Sequence, residues 1–259
     1  MKTHKLFQFL FGILFIIAAS ASTAYANDDI TNQLNNYSLA LKKQPKSVST
    51  LIKRGDLYFK LHEFDMAISD YSEAIKLDPH ADMAYFGRGL ALGRSGYIHK
   101  GIQDLTVYIK RHPKDSHAYT KRGVRHLWLK EFSKAEQDLS KAIALDPRNA
   151  EAHDDLGVIL ARRKDYAQAI KNFTATVTID PTYAKGWHNL SMVHYIVGQD
   201  ILALNAINHS LHLTPEAKNS LLLKAKILHA LGQTEEAKKI EDDADFLPGG
   251  NWSERVSVQ

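Results

Sequence analysis

Proline returns at a fixed interval through most of this chain. Six prolines lie 34 residues apart, at Pro45, Pro79, Pro113, Pro147, Pro181 and Pro215. A seventh, Pro248, comes one residue early. A fixed period of this length predicts a repeat architecture, in which each unit is one supersecondary element that stacks on its neighbours. The period therefore constrains the fold before any local feature of the sequence is considered.

Aligning the chain on these prolines gives six repeats of 34 residues: 48–81, 82–115, 116–149, 150–183, 184–217 and 218–251. Two columns of the alignment hold only small residues. Position 8 reads Gly55, Gly89, Gly123, Gly157, Ser191 and Ala225. Position 20 reads Ala67, Gly101, Ala135, Ala169, Ala203 and Ala237. Position 24 is large and apolar until the last repeat: Tyr71, Leu105, Leu139, Phe173, Ile207 and Glu241.

These columns predict two antiparallel helices in each repeat. Small residues at positions 8 and 20 allow two helix backbones to approach closely, and the large residue at position 24 fills the space beside that contact. The segment 63–77 has apolar residues at the spacing of an amphipathic helix. Proline at position 32 ends the second helix, because it lacks the N–H donor and forces its predecessor out of the helical region.

The period and these columns make the chain resemble the tetratricopeptide repeat family over residues 48 to about 247. The resemblance implies an all-α fold, a right-handed superhelical solenoid of helix-turn-helix repeats. Solenoids need polar ends, so residues 27–47 are predicted to form an N-terminal capping helix. Residues 252–259 are predicted to be a C-terminal tail.

The first 26 residues are typical of a signal peptide. Lys2 and Lys5 precede an apolar run over residues 6–19, and Ala24 and Ala26 provide a small-residue cleavage site. We therefore expect a periplasmic or secreted protein that begins at Asn27, with no membrane span after cleavage. The alternative is an uncleaved N-terminal anchor. Three of the five Asn-x-Ser/Thr sequons fall within predicted packed helices, which favours a bacterial envelope over a eukaryotic secretory route.

Composition and motifs argue against several classes of function. The chain has no cysteine, and its charge without the first 26 residues is close to balanced, with 31 basic and 29 acidic side chains. We therefore expect no nucleic acid as a partner. No HExxH, GxSxG or phosphate-binding glycine loop occurs. His209 and His212 lie three residues apart on one predicted helix, a weak signal for a metal. We expect no enzyme activity, cofactor or metal.

Charged residues at positions 7 and 23 of the repeats change together. Position 7 is Arg54, Arg88 and Arg122 in the first three repeats, and position 23 is Asp70, Asp104 and Asp138. In the later repeats the two columns change together, to Leu156 with Asn172, Leu190 with Ala206 and Lys224 with Ile240. A basic stripe for an anionic ligand is one interpretation. The paired loss favours the other, a structural ladder of Arg–Asp pairs between packed helices, because a buried charge needs its partner.

The resemblance also places a groove along the first helices, where a partner would bind. The family positions map the groove to ten residues: Ile52, Phe59, Met83, Phe86, Trp128, Glu151, Asp154, Lys185, His188 and Tyr195. The leading hypothesis is a non-enzymatic scaffold that binds a protein or peptide in this groove. Its order, apolar then acidic then basic, predicts a segment with bulky apolar residues followed by a basic one. The alternatives are an envelope protein that binds cell-wall or exported polysaccharide, and an enzyme.

Overall fold

The structure is a computed structural model that describes residues 29–247. All regular secondary structure in this range is helical. The helix α1 covers residues 29–43, and twelve more follow it. They are α2 Val48–Lys60, α3 Phe64–Leu77, α4 Asp82–Arg94, α5 Ile98–Arg111, α6 Ser116–Trp128, α7 Phe132–Leu145, α8 Ala150–Arg162, α9 Tyr166–Ile179, α10 Ala184–Ile196, α11 Asp200–Leu213, α12 Lys218–Ala230 and α13 Thr234–Asp245. The predicted all-α repeat fold is confirmed.

The helices form two compact blocks, one ending at Ala91 and the other beginning at Leu92, within α4. In the first block, α2 packs against α3 around a core that includes Leu51, Tyr71 and Ala84. In the second block each helix packs against the next in the chain. The first helices of neighbouring repeats also meet there, since α6 contacts α8, and α10 contacts both α8 and α12.

The small residues at positions 8 and 20 lie where the two helices of a repeat cross. A methyl group on Gly157 would come 2.7 Å from the ring of Phe173, and one on Gly55 would come 2.9 Å from the ring of Tyr71. In the fifth repeat the glycine is replaced by Ser191, which is fully buried and donates a hydrogen bond of 2.8 Å to the carbonyl of Ala203. The close approach predicted from the columns is confirmed.

Proline ends the second helix as the sequence predicts. Helix α3 ends at Leu77, two residues before Pro79, and α5, α7, α9 and α11 end at the same distance from their prolines. The aspartate before the proline adds a turn of its own. Asp78 accepts a hydrogen bond of 2.8 Å from the backbone N–H of His80, and Asp146 and Asp180 make the same contact. Such a bond closes a turn that leads into the next repeat.

The turn between the two helices of each repeat contains one residue in the left-handed conformation. It occupies position 15 in all six repeats: His62, Gly96, Lys130, Lys164, Gly198 and Gly232, with φ between 58° and 87°. Glycine adopts this conformation without a steric cost, whereas a side chain makes it unfavourable. Half of the turns therefore carry a residue that the local backbone does not favour.

The Arg–Asp ladder predicted from positions 7 and 23 is confirmed in the first and third repeats. Arg54 and Arg122 each donate two hydrogen bonds of 2.7 and 2.8 Å to Asp70 and Asp138. Both carboxylates are buried. The interpretation as an anionic-ligand stripe is therefore replaced by a structural one.

The arginines also contact the preceding repeat. Arg54, Arg88 and Arg122 donate to hydroxyl groups 16 residues earlier in the chain, on Ser38, Ser72 and Thr106, at 3.1 to 3.2 Å. In the first and third repeats, one guanidinium therefore links its own second helix to the second helix before it. The sequence signal for this contact is a Ser or Thr at position 25, in the repeat before each arginine.

No helix among the described residues is long and apolar enough to cross a membrane. The predicted signal peptide, residues 1–26, and the predicted tail, residues 252–259, lie outside the described residues. Their assignments stay predictions.

Candidate functional site

The first helices α6, α8 and α10 carry a set of six charged side chains and one amide, which we call the charged face. Its members are Lys121, Arg125, Glu151, Asp154, Asp155, Lys185 and Asn189. They occupy positions 2, 5, 6 and 10 of the third, fourth and fifth repeats. Position 6 of one repeat meets position 2 of the next, because neighbouring first helices lie side by side.

Two lysines join the helices of the charged face. Lys121 Nζ on α6 lies 2.7 Å from both carboxylate oxygens of Glu151 on α8. Lys185 Nζ on α10 lies 2.8 Å from Asp154 Oδ2 and 3.6 Å from Asp155 Oδ1. The Lys185–Asp154 contact is ionic rather than a well-aligned hydrogen bond. Asp154 Oδ1 accepts a further bond of 2.8 Å from the Asn189 amide.

Burial and neighbouring charges shift the pKa values of Asp155 and Lys185. Asp154 is fully buried and Asp155 nearly so, and they share the single ammonium of Lys185. Burial raises the pKa of Asp155 to about 7, with Lys185 opposing the shift. Burial alone lowers the pKa of Lys185, but the two aspartates outweigh it and raise that pKa above the ordinary lysine value. Asp155 therefore titrates near neutral pH.

The N-terminal end of the charged face is basic. Arg125 is buried, and its guanidinium lies 4.9 Å from the centre of the Trp128 ring. Burial lowers the pKa of Arg125 to about 10, and Arg94, 6.0 Å from the same ring, lowers it further. Gly93 leaves room for the Arg125 side chain, because a methyl group at position 93 would come 2.7 Å from Arg125 Nε. The two guanidinium groups near this ring attract a carboxylate, and the ring itself offers an apolar surface.

The ten residues predicted to line a groove have different environments. Glu151, Asp154 and Lys185 belong to the charged face, where their charges are compensated by neighbours. The acidic stretch predicted from sequence is therefore internally paired. His188 is buried and bonds Ser220 at 2.9 Å. Tyr195 packs against the cluster of Ala203, Ile207, Leu223 and Ile227.

The apolar residues predicted in the first two repeats lie within the N-terminal block. Ile52 and Phe59 are half-buried against the core around Tyr71, and the Phe59 ring lies 5.5 Å from that of Phe64. Phe86 is half-buried, and Met83 is 55% exposed. Their assignment to a binding groove stays a prediction.

Sequence analysis missed Lys121, Arg125, Asp155 and Asn189, because positions 6 and 10 are not among the groove positions that the family resemblance supplies. The sequence nevertheless contains a signal for two of the contacts. Lys121 and Glu151 are 30 residues apart with opposite charges, and so are Asp155 and Lys185.

Among residues 29–247 no cluster of three or more His, Asp or Glu side chains is arranged to hold a metal ion.

Two sequence-family models match the chain. A TPR repeat model matches residues 55–96, and a tetratricopeptide repeat model matches residues 120–184. This chain is a tetratricopeptide repeat protein. Such repeats serve as protein-interaction scaffolds, and the fold supports that class of function. Comparison with curated protein sequences gives no match.

Solved structures share the fold at low sequence identity. The APC/C hetero-tetramer Cut9–Hcn1 matches with a TM-score of 0.69 and 20% identity over 82% of this chain and 44% of that one. The chain thus spans less than half of that protein. PilF of Pseudomonas aeruginosa matches with a TM-score of 0.69 and 15% identity, over 76% of this chain and 90% of that one. YrrB, described as a TPR protein with an unusual peptide-binding site, matches with a TM-score of 0.54 and 19% identity, over 71% and 95%.

Proposed function

We propose that this chain is a non-enzymatic scaffold that binds an extended segment of a partner protein across α6, α8 and α10. The observation that carries the proposal is the charged face. Apolar residues of similar volume would pack these helices at least as stably as buried ion pairs do. Ionisable groups that are buried together and have shifted pKa values cluster at functional sites. The peptide-binding site described for YrrB supports the same use of the fold.

The charges of the face define the segment that fits it. Asp154 is buried beneath Lys185, so the charges that a partner meets are the partly exposed Lys121, Glu151 and Lys185, each compensated by a neighbour. Such a surface selects by the placement of hydrogen bonds rather than by net charge. At the α6 end, Trp128 with Arg94 and Arg125 near its ring favours a carboxylate beside an aromatic or apolar side chain. The partner segment therefore carries an acidic–aromatic pair at that end.

Site-specific photo-crosslinking tests this assignment in the native compartment. A photoreactive residue replaces Glu151 or Met192 on the first helices in two variants, and Lys141 or Lys171 on the second helices in two controls; all four positions are partly or fully exposed. We expect a partner adduct from positions 151 and 192 and none from 141 and 171. Adducts from the control positions alone would move the binding surface to the second helices.

The crosslinked segment then allows a quantitative test. As a synthetic peptide it should bind the wild-type chain, and Trp128→Ala should weaken that binding at least about tenfold, as truncation of an aromatic anchor residue does. The melting temperature of the variant serves as its control, because Trp128 is half-buried. Unchanged affinity with an unchanged melting temperature would exclude α6 from the site.

We also propose that the scaffold works outside the cytoplasm. Lys2, Lys5 and the apolar run of residues 6–19 support export. Cell fractionation tests the location, and recovery of the chain from the cytoplasm alone would refute it.

A further inference from the structure

The turn of the fifth repeat exposes a cluster of large apolar side chains, which we call the apolar edge. It consists of Ile196 and Val197 at the end of α10 and Ile201 and Leu202 at the start of α11. Their exposed fractions are 50%, 38%, 64% and 49%. Single exposed apolar residues are ordinary, but a contiguous group of four marks a contact surface.

The other repeats provide an internal control for this cluster. The apolar edge occupies positions 13, 14, 18 and 19 of its repeat. The same positions in the fourth repeat are Arg162, Arg163, Ala167 and Gln168, and in the second they are Arg94, Ser95, His99 and Lys100. No other repeat has large apolar residues at all four. The fold therefore does not require an apolar surface at this turn, and the fifth repeat has one for another reason.

Opposite charges flank the apolar edge. Consecutive repeats place their turns side by side, since α8, α10 and α12 are in contact in that order. On the side of the fourth repeat lie the exposed side chains of Arg162 and Lys164, and that of Arg163, which is paired with Glu136. On the side of the sixth repeat lie the exposed Glu235 and Glu236, in the first turn of α13. The edge of the array thus runs from basic to apolar to acidic over three repeats.

We propose that the apolar edge is the contact surface for a second copy of this chain. A two-fold contact must be self-complementary, because each surface meets itself in the opposite direction. With the axis through the apolar edge, the basic turn of one copy would face the acidic helix start of the other. An anionic membrane or polymer would instead require basic residues without the acidic flank. The basic–apolar–acidic order therefore fits a second copy.

Sedimentation equilibrium of the mature chain tests the proposal. The surface is small, so we expect a weak dimer, with a dissociation constant on the order of 10–100 μM. Leu202→Glu should weaken it at least about tenfold. Met66→Glu is the matched control, because Met66 occupies position 19 of the first repeat and is 50% exposed, as Leu202 is 49%. The control should leave the dimer unchanged.

Charge reversal tests the orientation of the two copies. Lys164→Glu and Glu235→Lys should each weaken the dimer severalfold, and the double variant should restore it, because it exchanges the signs across the contact. A chain that stays monomeric at millimolar concentration overturns the proposal. So does a dimer that tolerates Leu202→Glu, or one that Met66→Glu weakens equally. A double variant weaker than both single variants would refute the two-fold orientation.

Discussion

The Arg122–Asp138 pair allows a direct test of the structural ladder, because another repeat of the same chain has uncharged residues at the same two positions. Asp138 Oδ1 and Oδ2 accept bonds of 2.7 and 2.8 Å from Arg122. In the fourth repeat, the same two positions hold Leu156 and Asn172. The amide of Asn172 donates to the backbone carbonyl four residues earlier, at 2.9 Å. The double variant R122L/D138N therefore gives the third repeat the residues of the fourth at these two positions, without the bond of 2.9 Å that Asn172 Oδ1 makes to His153, because Tyr119 occupies the position of His153.

The expected loss of folding stability follows from the burial of the Asp138 carboxylate. The Asp138 side chain is 7% exposed, so Arg122→Leu leaves a buried carboxylate without its two strongest bonds. Each hydrogen bond to a charged group contributes about 1.5–3 kcal/mol. The arginine side chain is 19% exposed, and this exposure reduces the net effect. We expect a loss of about 3 kcal/mol for Arg122→Leu and about 2 kcal/mol for Asp138→Asn. The double variant should lose about 2 kcal/mol, which gives a coupling energy of about 3 kcal/mol.

Urea unfolding of the four proteins, followed by circular dichroism at 222 nm, measures this coupling. His126 Nε2, 3.9 Å from Asp138 Oδ2, is the same in all four proteins, so the four measurements are made at one pH. A coupling energy below about 0.5 kcal/mol would refute the reasoning, because it is the value of a solvent-exposed pair.

The helix crossing, the charged face and the N-terminal segment each give a further prediction. Gly157→Ala should destabilise the chain by about 1–3 kcal/mol in urea unfolding, because the new methyl group overlaps Phe173; an unchanged midpoint would show that the ring moves aside. Asp155→Asn should stabilise the chain by about 2 kcal/mol at pH 8 and little at pH 4. The folded pKa of Asp155 is raised, so the stabilisation from its bound proton is complete below about pH 4 and is lost as pH rises through 7. Equal effects at both pH values would contradict this. N-terminal sequencing of the exported protein should give Asn27, and an intact Met1 in the membrane fraction would indicate an anchor.

Sequence was sufficient for most of the fold because its constraints recur, the small residue at position 8 in six repeats and the proline at position 32 in five. Proline at position 32 and the small residue at position 8 each act locally, on one helix end and one helix crossing. Because such local requirements recur from repeat to repeat, they appear as columns of similar residues when the repeats are aligned. The left-handed residue at position 15 was not predicted, because glycine occupies it in only three repeats, and His62, Lys130 and Lys164 mask the pattern.

The candidate site was less predictable, because it depends on pairs rather than columns. Position 6 holds Lys121, Asp155 and Asn189 in consecutive repeats, so it has no common chemistry. For Lys121 and Asp155 the regularity lies in the opposite charge 30 positions later, whereas Asn189 bonds Asp154 in the repeat before it. Glu151 and Lys185 were identified as groove residues, but that each is already compensated by a neighbour is visible only in the packed helices.

The two kinds of inter-repeat contact have opposite consequences for rearrangement of the repeats. Arg88 and Arg122 reach equivalent hydroxyl groups, on Ser72 and Thr106, so excising residues 82–115 would offer Arg122 a like acceptor. Excising residues 150–183 would instead bring Lys121 to the position opposite Lys185, where two like charges repel. The early repeats are thus interchangeable modules for duplication and loss. In the later repeats, complementary charges on neighbouring first helices mean that each repeat packs without repulsion only next to its present neighbours.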